Sequence, residues 1–293
     1  MSEQLFTRLL DRSVLEISGK DARRFLQGLV SNDIEKVSEE RAIYGAFLTA
    51  QGKYLHDFFI TTIGSRLLLD CEASRIEDLY RRLKIYKLRS SVKIIITDAY
   101  HVLALFGAGA LISLKLPEKA GAAKYFENGI VYTDPRLALA GARCILPSES
   151  IGKVISAGFS EASDDRYQRH RISLGLPDSS RDMEVEKSIL LEGGFEELNG
   201  VDFKKGCYMG QELTARTKFR GLIKKRLMPV NIQGAKLSPG TVIKQNGKTV
   251  GELRSTSGDL GMAVIRLEAL EKSDVLTAGD TLVVPKKPKW VNF

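Results

Sequence analysis

In "GKDARRFLQGLVSNDI", Ala22, Phe25, Leu26 and Leu29 recur at helical spacing, and Ser18 with Asp21 three residues on predicts a weakened capping-box start. The runs "AIYGAFLTA" and "LHDFFITTI" flank "QGKY" and predict two strands around a glycine turn, with "RLLLDC" a third strand after Gly64-Ser65. Ile76, Leu79, Tyr80, Leu83 and Tyr86 then mark an amphipathic helix. "SVKIIITDA" and "YHVLALF" predict strands. "GAGALI" lacks the third glycine of a dinucleotide turn and reads as a tight turn into a helix. "DPRLALAGARCIL" predicts a turn at Asp134-Pro135 and a strand holding Cys144. Helices are expected at about Glu149–Ala157 and Asp164–Leu174, followed by a loop, "LGLPDSSRD".

The pattern changes after Gly221. "KKRLMPVNI", "TVIKQNG", "KTVGELRST", "LGMAVIRL" and "TLVVP" are short strands parted by Ser-Pro-Gly, Asn-Gly and Gly-Asp turns, which predicts a small β-barrel over residues 222–293. Trp290 and Phe293 are expected to pack on it. Residues 1–221, with strands and helices in no regular alternation, read as an α+β region.

Composition narrows the class. With 43% hydrophobic and 27% charged residues the chain is of ordinary globular type, and its apolar runs are too short for the ~20 residues of a membrane-spanning helix. The start, "MSEQLFTRLLDRS", has no secretory pattern, so the cytoplasm is the expected compartment. The net charge of +8 favours anionic partners: nucleic acid, a polyglutamate tail, a phosphate or an acidic protein face. Cys71, Cys144 and Cys207 are odd in number and far apart, which argues against a disulfide framework or a self-contained metal site.

The candidate chemistry concentrates in "VDFKKGCYMGQELTARTKFRG", from Val201 to Gly221. Lys204 and Lys205 precede Cys207, and "QELTARTKF" predicts a helix starting just past Gly210. Cations and a helix N-terminus both favour a thiolate. Gly206 and Gly210 allow unusual backbone angles or a close approach. The same cysteine also reads as a buried structural residue in a loop. Gln211 and Glu212 are expected to cap the helix start.

"KGCYMGQE", Lys205 to Glu212, resembles the signature of the YgfZ-type folate-binding-like proteins, relatives of the glycine cleavage T-protein, an aminomethyltransferase. "FLQGLVSNDI", "FLTAQGKYLHDFFI", "RRLKIYKLRSSV", "DPRL", "RHRISLGLP" and "TKFRG" resemble further blocks of that family in the same order, over nearly the whole chain. The resemblance implies a T-protein-like ring of α/β subdomains, two of them interleaved within residues 1–221, around a central cavity for tetrahydrofolate. It implies Cys207 and Asp57 as reacting groups, and Asp57, Tyr208, Arg220, Lys224 and Arg226 as folate contacts. The chain departs from T-proteins at His56-Asp57, where they carry Asp-Asp. It has Thr61 in place of a tyrosine, Ser173 where a pterin-binding glutamate is expected, and Cys207 in place of an aspartate.

Three functions follow from this reading. One is a folate-binding accessory protein for assembly or repair of iron–sulfur enzymes, including tRNA-modifying ones, with Cys207 as working thiol and client or assembly proteins as partners. Another is a tetrahydrofolate-dependent aminomethyl or methyl transferase. The third is a tRNA-binding module, suggested by net charge.

Overall fold

The computed structural model describes residues 3–221, 223–271 and 274–291; Phe293, expected to pack on the barrel, lies outside them. The chain forms two compact units. The first comprises Met1–Leu48, Leu55–Tyr167 and Leu198–Met209; the second comprises Thr49–Tyr54, Gln168–Glu197 and Gly210–Phe293.

In chain order the first unit contains β1 (Leu5–Arg8), β2 (Arg12–Ser18), α1 (Ala22–Gln27), β3 (Ile43–Leu48), all but the first residue of β4 (Tyr54–Ile63), β5 (Arg66–Glu72), α2 (Ile76–Lys87) and β6 (Lys93–Thr97). It continues with β7 (His101–Phe106), α3 (Ala110–Ser113), β8 (Ala123–Phe126), β9 (Gly129–Thr133), β10 (Ala142–Leu146), α4 (Ile151–Ser156), β11 (Ser160–Glu161) and the first residues of α5 (Asp164–Ser173). One sheet has the order β3-β4-β5-β2-β6 and the other β11-β1-β7-β10-β9-β8. Phe6, Leu103, Leu105, Val131 and Cys144 from the second sheet form one core with Leu111 and Leu114 at α3 and Val154 of α4.

The expected strands and helices of this unit form, and five more strands, β1, β2, β8, β9 and the two-residue β11, join them. β1, β2, β8 and β9 are four to seven residues long and carry charges or aromatics that blur their alternation, so pairing, rather than local pattern, defines them. The capping box does not form. Asp21 is itself the N-cap of α1 and makes no cap hydrogen bond. Its Oδ2 instead accepts from Ser91 N–H at 2.7 Å.

β4 shows why polar residues interrupt an apolar strand. Every residue from Tyr54 to Thr62 is buried, so His56 and Asp57 must find partners inside. His56 Nε2 lies 3.0 Å from Asp78 Oδ2 on α2, and Asp78 also takes Arg81 and Arg82. Burial, with Arg75 nearby, pushes the His56 imidazole down to about 4 despite Asp78. Asp70 of β5, fully buried, accepts from Arg12 Nε at 2.6 Å and from Arg143 Nε and Nη2 at 2.9 and 2.5 Å. Arg143 belongs to β10, so this carboxylate ties the two sheets together. The guanidinium carbon of Arg143 also lies 4.1 Å from the Phe59 ring centroid, and that of Arg136 lies 4.8 Å from it.

The second unit adds the rest of α5, then α6 (Ser179–Asp182), α7 (Gln211–Phe219), β12 (Lys225–Gln233), β13 (Val242–Gln245), β14 (Lys248–Ser257), β15 (Leu260–Arg266), α8 (Leu267–Leu270), β16 (Leu276–Ala278) and β17 (Thr281–Pro285). Its strands close into the expected barrel, in the order β12-β15-β14-β13-β16-β17. The β13–β14 hairpin turns at Asn246-Gly247, both with positive φ, as a type I′ turn requires. Only β16 escaped prediction. "LGLPDSSRD", expected as a loop, contains α6 because Arg171 organises it: that side chain, 2% exposed, donates to Asp182 at 2.7 Å, to Leu176 O at 3.1 Å and to Ser255 Oγ at 3.1 Å. Trp290 Nε1 donates to Leu174 O at 2.7 Å, so the tail is fixed at the end of α5.

Two outcomes are expected from these buried groups. Asp182→Ala removes the nearer carboxylate of the Arg171 guanidinium, leaving Asp178 at 3.7 Å, and should cost about 3 kcal/mol, whereas Arg171→Met with Asp182→Leu should recover most of that loss; urea unfolding of the three proteins measures it. His56 binds its proton in the unfolded chain below about pH 6.5 but in the folded chain only near 4, so the unfolded state gains protons first. Stability should therefore fall by about 3 kcal/mol as pH drops from 7 to 4, and His56→Gln should flatten that slope, read from denaturation midpoints at each pH.

Candidate functional site

Cys207 sits at the tip of a loop that the chain holds from both sides. Asp202 N–H donates to Ser31 O at 3.0 Å and Met209 N–H donates to Gly28 O at 3.0 Å. Ser31 Oγ donates to Gly200 O at 2.6 Å, and Asn32 Nδ2 donates to Asn199 O at 2.7 Å. Between these ties Lys205 Nζ donates to three carbonyls, Gln27 O at 2.8 Å, Val30 O at 2.5 Å and Asn32 O at 2.8 Å. Three acceptors use all three N–H groups of an ammonium. Burial nevertheless lowers the Lys205 amine to about 8, against the opposing pull of Asp33 and Asp202. The Tyr208 ring lies 5.1 Å from the same Nζ and is itself buried.

The tip is open. A Cβ placed on Gly206 would meet nothing within 4 Å, and Cys207 is exposed. Cys71 and Cys144 are buried in β5 and β10, and burial pushes both thiols up. The loop thus presents one accessible thiol on a fixed base. Lys205 has a structural part that its place beside Cys207 did not suggest. Its ammonium is directed at the turn after α1 and is the anchor of the loop. Tyr208, expected at folate, backs that anchor.

The other expected residues stand as follows. Asp57, 4% exposed, accepts from Tyr44 Oη at 2.7 Å on neighbouring β3. In the second unit, Arg226 is buried and donates to Glu197 at 2.6 Å, while Arg220 and Lys224 are exposed. α7 begins where expected, but its N-cap is Gly210 at φ 80°, without a side-chain cap bond. Glu212 lies exposed in the first turn, where a carboxylate acts on the helix through its terminal partial charge rather than as a cap. Gln211 occupies the first helical position. Gly52 explains the glycine of "QGKY": its φ is +80°, and a Cβ there would lie 2.6 Å from Gly210 O and from Leu213 Cβ. The carbonyl cradle of Gln27, Val30 and Asn32 was not foreseen as a site. Its only sequence signal was that "FLQGLVSNDI" and "KGCYMGQE" resemble blocks of one family.

The residues present do not fit a folate held as the T-protein resemblance implies. Ser173, in place of the pterin carboxylate, is exposed and donates to His170 O at 2.7 Å within its own helix. A hydroxyl so engaged cannot replace a bidentate carboxylate. The Asp57 carboxylate is bonded to Tyr44, and Arg226 is bonded to Glu197.

Comparison with known proteins agrees with the fold. Residues 11–123 match the GCVT N-terminal domain and residues 224–293 match the CAF17 C-terminal β-barrel domain. The structure is similar to the glycine cleavage system aminomethyltransferase T of Bartonella henselae, with a TM-score of 0.79 at 14% identity over 99% of this chain and 86% of that one. The chain is 34% identical to the human mitochondrial iron–sulfur cluster assembly factor IBA57 over 90% of its own length and 78% of the relative's. It is 30% identical to the mouse protein of the same name, with the same coverage. The Neurospora crassa homolog is 32% identical over 76% of this chain and 52% of the relative. These relatives are named mitochondrial, which overturns the cytoplasmic expectation; a globular composition and a missing secretory pattern carry no address of their own. The kinship with T-proteins holds, and the relatives named above are IBA57 proteins. On its identity to the human protein over most of both sequences, the chain belongs to the family of the iron–sulfur cluster assembly factor IBA57.

Proposed function

We propose that this protein assists the assembly of iron–sulfur proteins through the thiol of Cys207, presented to a partner protein on the anchored loop. The observation that carries this reading is the contrast between a loop tied down by Lys205, Asp202 and Met209 and a tip whose cysteine faces solvent. The relatives' name supplies the process, and a thiolate is a soft ligand suited to iron. Among the described residues no three His, Cys, Asp or Glu side chains converge as a metal site. A cluster passing through Cys207 would therefore take its remaining ligands from the partner.

Folate-dependent one-carbon transfer has less support from the residues, given Ser173 and the engaged Asp57. The tRNA reading rests on net charge alone. Rigidity is the second requirement of the thiol reading. Without the Lys205 ammonium, three carbonyls at the end of α1 lose their donor and the loop loses its central tie.

A short iodoacetamide pulse near neutral pH, followed by peptide mapping, should label Cys207 well before Cys71 and Cys144, because exposure and thiolate access govern the rate. Cys207→Ser should leave the melting temperature nearly unchanged and abolish support of iron–sulfur enzymes in cells lacking the protein. Equal labelling of all three cysteines, or full complementation by the serine variant, sinks the proposal. Lys205→Met should cost about 1–3 kcal/mol for the orphaned carbonyls, speed hydrogen exchange at Met209, and reduce complementation while leaving the thiol in place.

A further inference from the structure

A cavity of about 750 Å³ lies in the first unit where the end of α2 meets α1. Phe25, Leu29, Tyr86 and Leu88 give it an apolar lining, and Arg24 and Arg89 face it as exposed cations. Neither arginine has a carboxylate partner among the described residues. Asp21, the acidic residue in the lining, is engaged by Ser91 N–H, so the site is net cationic.

Leu88 is the unusual member. Ser90 N–H donates to Lys87 O at 2.8 Å, closing a turn in which Leu88 has φ 44° and ψ −116°. That is the first central position of a type II′ turn, which glycine ordinarily fills. The chain holds a leucine in this disfavoured conformation and leaves it 87% exposed. Ile85 beside it is 65% exposed and Tyr86 42%, so apolar surface continues outward from the cavity. The Tyr86 ring is fixed edge-on to Phe47, with centroids 6.0 Å apart.

We propose that this cavity docks a segment of a partner protein that inserts an apolar side chain between Phe25, Leu29 and Leu88 and sets flanking carboxylates against Arg24 and Arg89. Charge complementarity selects the occupant: two guanidinia without internal partners, on a chain of net charge +8, favour carboxylates, which they bind in a planar fork. A hollow walled by four apolar side chains and rimmed by two guanidinia suits an inserted apolar side chain with carboxylates beside it. A nucleic acid would call for a cationic track with stacking aromatics along an open face, and an anionic bilayer for a broad basic surface. Gly28 lines the cavity, and its carbonyl accepts from Met209 of the thiol loop, while Gln27 O and Val30 O hold Lys205. One turn therefore forms both a wall of the dock and the footing of Cys207. The identification of the partner as one that receives or delivers at Cys207 rests on the function proposed above.

The test is selection of a random dodecapeptide display library on the full-length protein, with anisotropy measurements on the consensus peptide. Enriched sequences should combine Leu, Ile, Met or Phe with Asp and Glu. Arg24→Glu with Arg89→Glu should weaken the consensus peptide by roughly tenfold or more. Leu88→Gly should weaken it several-fold while leaving the melting temperature unchanged or higher, since glycine relieves the positive φ; a leucine with a purely structural role would lower it instead. The inference is overturned by failure to enrich acidic apolar peptides, by binding indifferent to these substitutions, or by a preference of the same surface for tRNA or anionic vesicles. Cys207→Ser separates the two proposals. It should bind the peptide normally yet fail in cells. If the peptide does not bind while Cys207→Ser still fails in cells, the dock alone is refuted; if the peptide binds and Cys207→Ser complements, the thiol reading alone is refuted.

Discussion

The Lys205 ammonium, held by three backbone carbonyls, is the interaction on which the candidate site depends. Gln27 O is one of the terminal carbonyls that α1 leaves without an intrahelical donor, and Val30 O and Asn32 O belong to the connection that follows it. A lysine from a loop more than 170 residues later in sequence satisfies them. The exchange is reciprocal: the turn gains donors that water would otherwise supply, and the loop gains a fixed origin. Cys207, two residues on, inherits a defined position while staying exposed.

A similar economy joins the two sheets of the first unit. Asp70 accepts from both Arg12 and Arg143, Asp134 pairs with Arg136 at 2.8 Å, and Phe59 offers a ring to the guanidinia of Arg143 and Arg136. The π face serves these buried cations as a further acceptor surface beside their carboxylates. Such a network specifies how the sheets align, because each guanidinium fork accepts a narrow set of geometries.

Much of this was legible in the sequence, for physical reasons that differ by element. The barrel declared itself through Asn246-Gly247 and Gly258-Asp259, whose turn chemistry is local. α2 was visible from Ile76, Leu79 and Leu83, because an amphipathic stripe is also local. β1 and β2 were missed because short mixed strands are defined by partners that are remote in sequence. The site divides in the same way. The motif around Cys207 could be found from residue types and from its likeness to a known family. The roles of Lys205 and Tyr208 could not, since adjacency to a cysteine suggested acidification while the fold turned Lys205 toward carbonyls of residues 27, 30 and 32. Ser173 was recognised from sequence as a departure from the T-protein pattern, and its bond to His170 O shows what the hydroxyl does instead. Compartment was illegible throughout, because folding physics does not encode it.

Closure of the C-terminal barrel has a consequence for the chain's colloidal behaviour. Each of its six strands has a neighbour on both sides, so among the described residues the barrel has no terminal strand. The first unit carries four edge strands, β3, β6, β8 and β11. Their protection is piecemeal. β11 is two residues long, β6 begins with the exposed Lys93, and β3 is partly screened by the bridge between Val30 and Phe47. Resistance to self-association is thus built into one unit by topology, while in the other it depends on short strands, a lysine and isolated bridges at β3 and beside β8.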